Sequence, residues 1–189
     1  YNILMIRNKE ETRRKNMIIY LDMDGVIADF FSGLAKKHGK SHWKEIDDVE
    51  VKIDNLKGTD FFNTLDLYPT STALVDFVKE LAGDDWGICS SPLRGDFKNS
   101  AFWKAEWLEK FGFTPPKKEN LKFSTNKPVY ATNKAGVPNI LIDDKPENVE
   151  RWIAKGGIGI RYQANEDSLD DLKKMLSMNV EMSQMLATM

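Results

Sequence analysis

Two aspartates one residue apart, Asp22 and Asp24, close the run "IYLDMDGV", and Gly25 follows at once. Carboxylates held that close repel one another unless a cation offsets them. A second acidic pair, Asp143 and Asp144, ends "NILIDD" in the same way, and "WGICSS" ends in Ser90 and Ser91. "NLKFSTNK" leads to Lys127, directly before Pro128 at what reads as a helix start, where the first unpaired N–H groups favour an anion. Carboxylate-rich oxygen sites suit Mg²⁺, which also binds phosphate, and a lysine with serine hydroxyls completes a phosphate site. The chemistry within reach is phosphoryl transfer. Asp22 can attack phosphorus as a carboxylate nucleophile and form an aspartyl-phosphate. Asp24 can protonate the leaving alkoxide and later take a proton from water. Asp22 and Asp143 would ligate Mg²⁺, with the backbone carbonyl of Asp24 as a third ligand. Lys127 would neutralise nucleophile and phosphate, while Ser90 and nearby N–H groups hold the phosphoryl oxygens.

Groups so far apart in the chain need a scaffold that brings them to one edge. From Met17 onward, short apolar runs alternate with amphipathic helices. "MIIYLDMD", "WGICSS", "NLKFST", "NILIDD" and "IGIRY" read as strands. "ADFFSGLAKKHG", "STALVDFVKELAG", "KNSAFWKAEWLEKFG", "ENVERWIAKGG" and a segment from about Asp167 read as helices, with a short helix expected over "PVYATNKAG". This alternation predicts an α/β fold, a Rossmann-like parallel sheet with helices on both faces. Ligands bind such sheets at the carboxyl ends of the strands, where every group named above falls.

Residues 39–69 break the pattern: they are acidic, helix-leaning and dotted with aromatics, and too long for a plain loop. A small helical cap inserted after the first strand would account for them, between core segments 17–38 and 70–189. Caps of this kind close over active sites and exclude water. Residues 1–16, with the charged run "RNKEETRRKN", are expected to be a loosely attached leader. The methionine-rich tail is expected to pack its Met and Leu face on the domain.

The charge balance, 27 Lys+Arg against 29 Asp+Glu, gives no electrostatic footprint for long nucleic acid, although a single nucleotide remains an acceptable ligand. A lone cysteine, Cys89, excludes an internal disulfide and a Cys-rich zinc site, and it fits a reducing, cytoplasmic setting. No run is apolar enough for a membrane span, so no membrane partner is expected. Cys89 and Arg94 have four residues between them where a cysteine phosphatase needs five, and no metal partner stands near His38 or His42. Neither a P-loop nor a G-x-G-x-x-G turn occurs, which disfavours NTPase, kinase and dinucleotide chemistry.

In order and spacing, "DMDGV", Ser90 in "CSSP", Lys127 in "NKPVYATNKAGVPN" and "LIDDKPEN" resemble the four motifs of the haloacid dehalogenase superfamily of phosphohydrolases. Lys134 is the alternative third-motif lysine; the place of Lys127 before Pro128 favours Lys127. "DMDGVIADF", "ICSSP" and "LIDDKP" are similar to the 5'(3')-deoxyribonucleotidases in particular. That resemblance implies Mg²⁺-dependent dephosphorylation of nucleoside monophosphates, with an aromatic pocket for the base beneath a small cap. By position Phe30 matches a base-contacting aromatic. Trp43, Phe61 and Phe62 are further candidates from the cap, and Ser91 and Arg94 from the second motif. Rival readings are a phosphatase of another small ester or of a nucleic-acid 3'-phosphate, and a nucleotide-binding module without turnover. The base, the esterified position and a homodimeric state stay open at this level.

Overall fold

Ile19, Tyr20 and Leu21 are all buried, and they form β1 (Ile19–Leu21), the middle strand of a parallel sheet. The computed structural model describes residues 16–187; residues 1–15 of the expected leader lie outside them. The sheet order is β3-β2-β1-β4-β5, with β2 at Trp86–Ser90, β3 at Leu121–Phe123, β4 at Ile140–Asp143 and β5 at Ile158–Arg161. All four strand pairings are parallel. A chain that must pair parallel strands needs a crossover between them, and the helices supply it.

Alternation along the strands sends side chains to two cores. Ile19, Leu21, Trp86, Ile88, Ile140 and Ile142 pack with Leu74 and Val78 of α3 (Ser71–Ala82), Trp107 of α4 (Phe97–Lys110), and Leu172 and Leu176 of α6 (Leu169–Ala187). Tyr20, Cys89 and Leu141 face the other way, onto Trp152 of α5 (Pro146–Ala154) and onto Ala131. Both faces are covered, which is why the central strands read as continuous apolar runs. The α/β architecture is the one the sequence predicts.

The strand order reverses between β1 and β4. Register places Leu21 opposite both Ile88 and Ile142, so the next residue, Asp22, comes level with Asp143. The Asp22 N–H donates to the Ile142 carbonyl at 2.9 Å and carries that alignment one step beyond the strand. Crevices at such reversals are where open α/β sheets bind ligands.

Between α1 (Phe30–Lys37) and α3 lie residues 39–69. They contain α2 (Val49–Asp54) and two 3₁₀ turns, Trp43–Glu45 and Phe61–Thr64, and no strand. Side chains at one end of and along α4 fasten the second half of this segment. Asp96 accepts from the Gly58 N–H, Asn99 donates to the Thr59 carbonyl, Trp107 to that of Leu65 and Lys110 to that of Asn63.

Two expectations are corrected. The helix expected over "PVYATNKAG" is a single 3₁₀ turn, Lys127–Tyr130. The Asn133 side chain then accepts from the N–H groups of Ala135 and Val137, and Gly136 adopts φ +79°, so the backbone is committed to a turn. The tail is helical, and of its expected Met and Leu face leucines pack on the domain while three methionines stay outside. Leu172 and Leu176 bury and Val180 packs beside them, whereas Met175, Met178 and Met182 lie on the exposed side of α6. No helix among the described residues is long and apolar enough to cross a membrane.

Candidate active site

The loop after β1 is shaped by Met23, whose carbonyl accepts from the N–H groups of Val26, Ile27 and Ala28. This tight turn leaves Asp22 buried and Asp24 partly open to one cavity. Gly25 at its apex has φ +82°, and a Cβ there would stand 2.5 Å from Asp144 Oδ2. The glycine thus serves both the backbone conformation and the approach of the second acidic pair to the first.

Asp22, Asp143 and Asp144 each offer a carboxylate oxygen, and the three atoms lie within 4.8 Å of one another. Lys127 Nζ sits 3.0 Å from Asp22 Oδ1 and 2.6 Å from Asp143 Oδ2, with its side chain 2% exposed. Lys134 is exposed, and the geometry therefore selects Lys127 over it as the lysine of the cluster. Burial alone would lower the Lys127 pKa, but the carboxylates of Asp22 and Asp143 outweigh it and raise the pKa, keeping the ammonium charged.

The two members of the second pair have different surroundings. Asp143 is fully occupied: Oδ1 accepts from the Lys145 N–H and the Asn148 amide, and Oδ2 from Asn148 and Lys127. Asp144 lines the cavity, and its Oδ1 is buried with no hydrogen-bond partner among the described residues. Burial, then repulsion from Asp22 and Asp143, pushes the Asp144 carboxyl up to about 8, and burial together with Asp22 raises Asp143 as well. An unsatisfied buried oxygen in a cluster of three carboxylates fits a hard divalent cation, which prefers oxygen ligands. Asp144 is thus a cation-facing group that the site residues read from sequence did not include, although "DD" was visible.

A stability consequence follows from that raised pKa. In cation-free protein the folded state keeps a proton on Asp144 that an unfolded carboxyl releases near pH 4, so stability falls as pH rises from about 4 to about 8. Melting temperatures of chelated protein should decline across that window. Added Mg²⁺ should raise them more at about pH 8 than at about pH 5, because a cation needs the ionised carboxylate. A flat profile with no Mg²⁺ response would remove the cation from the cluster.

The second cation of the site is one the sequence reading missed. Lys104, entirely buried on α4, reaches Asp24 Oδ2 at 2.6 Å and Ser90 Oγ at 2.9 Å, and stands 4.6 Å from the centre of the Phe62 ring. The signal was present: Ser100, Lys104, Trp107 and Leu108 are the buried stripe of α4, so a lysine occupies an i, i+4 position on an apolar face. Ser90 is itself wholly buried against Lys104, whereas its neighbour Ser91 faces the cavity.

The cavity above these groups has a volume of about 360 Å³. Asp22, Asp24, Lys127 and Asp144 form its floor, while Phe30, Phe62, Ser91 and Arg94 line it together with Phe31 and Ile53. Phe30 and Phe62 lie nearly parallel, 6.2 Å apart with 23° between planes. Phe61 and Trp43 stand one layer back. Phe61 is buried edge-on to Phe30 at 5.8 Å, and Trp43 is tilted against Phe31 at 5.4 Å.

Asp22, the lysine that bridges it to Asp143, and the loop-borne Asp24 come together at the carboxyl edge of a 3-2-1-4-5 sheet. A hydrolase from Streptococcus pneumoniae has a similar fold, with TM-score 0.50 and 13% identity over 86% of this chain and 99% of its own. In sequence, the chain is 26% identical over 163 residues to the mouse mitochondrial 5'(3')-deoxyribonucleotidase, covering 75% of this chain and 69% of the mouse protein. It is 26% identical over 150 residues to the human mitochondrial 5'(3')-deoxyribonucleotidase, covering 68% of this chain and 62% of that protein. The chain's α/β fold is haloacid dehalogenase-like. No family model matches it. Similarity to these deoxyribonucleotidases, together with the acidic cluster and its lysine, supports a phosphoric monoester hydrolase.

Proposed function

We propose that the chain is a Mg²⁺-dependent phosphatase of nucleoside monophosphates, in particular 5'(3')-deoxyribonucleotides. One observation carries the reading: in the Asp22–Asp143–Asp144 cluster bridged by Lys127, Asp22, Asp144 and the lysine line a cavity together with Phe30 and Phe62. Its size, at the small end of ligand pockets, suits one monophosphate rather than a longer strand. Parallel aromatic faces suit a planar base, and the similarity to deoxyribonucleotidases gives the substrate class.

In this reading Asp22 attacks phosphorus, and the phosphorus–oxygen bond to the leaving alkoxide breaks as that oxygen takes a proton from Asp24. Water then attacks the aspartyl-phosphate and gives a proton to Asp24, releasing phosphate and restoring the Asp22 carboxylate. Lys127 holds the nucleophile in place and offsets the charge of the phosphoryl group. Asp22, Asp144 and the backbone carbonyl of Asp24 would hold Mg²⁺, with Asp143 tied to Lys127 beside them. When bound, the ion would neutralise phosphoryl charge. Ser91, Arg94 and backbone N–H groups would receive the remaining phosphoryl oxygens, and residues 39–69 would act as the cap. A reducing, cytoplasmic setting is part of this reading and is compatible with the buried free thiol of Cys89 on the other face of the sheet.

The test is phosphate release from a panel: deoxyribonucleoside and ribonucleoside monophosphates, a sugar phosphate and a 3'-phosphorylated oligonucleotide, each with and without Mg²⁺. Mg²⁺-dependent release that is at least about tenfold faster from deoxyribonucleoside monophosphates is expected. Preference for the sugar phosphate or the oligonucleotide would overturn the substrate assignment, and tight nucleotide binding without release would overturn turnover itself.

A further inference from the structure

We propose that Lys104 is the positioning residue for the proton-transferring aspartate, holding Asp24 by Oδ2 so that Oδ1 is the oxygen that exchanges protons with substrate and water. The inference rests on the phosphatase reading above and extends it to a residue on a helix outside the four motifs.

Four carboxylates meet at this site, and two buried ammonium groups pair with three of them, leaving Asp144 apart. Lys127 lies between Asp22 and Asp143. Lys104 takes Asp24 alone. An ammonium group has three N–H donors and no acceptor, so whatever it touches must accept. Its neighbours fill three directions: Asp24 Oδ2 at 2.6 Å, Ser90 Oγ at 2.9 Å and the face of the Phe62 ring at 4.6 Å. Lys104 is 0% exposed, and a cation so placed has no water to fall back on. These contacts therefore lock it, and Asp24 inherits the lock.

The two oxygens of Asp24 are consequently unequal. Oδ2 is held by the lysine, and Oδ1 is buried with no hydrogen-bond partner among the described residues. Asp24 lines the cavity beside Asp22, so the free oxygen belongs to a side chain already at the reaction centre. Ser90, at the end of β2, supports the lysine from behind. Phe62, from the segment between α1 and α3, covers it from the substrate side. A single buried side chain thus connects the loop after β1, the end of β2 and the aromatic wall of the cavity.

The positioning role separates from a merely structural one by leaving group. A nucleoside alkoxide must be protonated as it departs, whereas 4-nitrophenolate leaves without a proton, and both substrates need Asp24 to activate water afterwards. In Lys104→Met, kcat for a deoxyribonucleoside monophosphate should fall about 10²-fold with KM within about threefold. With 4-nitrophenyl phosphate the same variant should give a rapid burst of nitrophenolate equal to the enzyme present, followed by slow turnover. Lys104→Gln, which keeps one N–H donor for Asp24, should fall between Lys104→Met and wild type on both substrates. Equal slowing of the burst and of nucleotide turnover, or wild-type kcat in both variants, would overturn the proposal. Wild-type protein that releases no phosphate from either substrate would instead overturn the phosphatase reading itself.

Discussion

Asp22→Asn leaves a folded protein in which phosphate release falls by at least about 10³-fold, the expected scale for loss of a covalent nucleophile. The side chain is nearly the same shape, and its Oδ1 still accepts from the Met23 N–H and lies beside Lys127. Lys127 also keeps its 2.6 Å contact with Asp143, so the buried ammonium is never stranded. What disappears is the nucleophilic anion. The check has two parts: phosphate release, and acid quenching of a reaction with ³²P-labelled substrate. Wild type should trap labelled protein that hydroxylamine releases, and Asp22→Asn should trap none. Labelled Asp22→Asn protein, or near-normal turnover, would move the nucleophile elsewhere.

Lys127→Met should be the more damaging change to the fold. It removes the cation between Asp22, 5% exposed, and Asp143, 0% exposed, leaving two buried carboxylates facing each other. Breaking a buried pair on one side costs about 3–5 kcal/mol, since the remaining charge is uncompensated. The penalty should be greatest in chelated protein at neutral pH and shrink as pH falls and Asp143 takes up a proton. Burial already raises Asp143 in the presence of the lysine, so the direction is fixed. Denaturant melts across pH, with and without Mg²⁺, read this out. A cost of under about 1 kcal/mol in chelated protein would mean that the lysine is not structurally needed. Turnover should be lost at every pH.

Much of the site was legible in the chain because its signals are local. Asp22 and Asp24 follow an apolar strand with Gly25 behind them, and Asp143 and Asp144 end another. Strands of a parallel sheet share a direction, so residues at their carboxyl ends gather at one edge without further information. The choice of Lys127 over Lys134 was likewise approachable from Pro128, although it was the 3.0 Å and 2.6 Å contacts to Asp22 and Asp143 that made it. The misread segment 128–136 shows the limit of local propensity. A side-chain cap at Asn133 and a glycine in the left-handed region outcompeted a helix that the composition allowed.

Taken alone, the sequence determined the α/β class, the order of the strands along the chain and the acids they deliver, because apolar periodicity and turn residues act over a few positions. Tertiary structure alone decided which oxygen of which carboxylate is left unsatisfied. Asp143 is saturated by Lys127, Asn148 and the Lys145 N–H, while Asp144 is not. It also decided that Lys104, eighty residues from Asp24 in the chain, becomes its partner. A lysine on an apolar helical face is ambiguous until the surface opposite it is known, and only the packing of α4 against the β1 loop and the end of β2 supplies that surface.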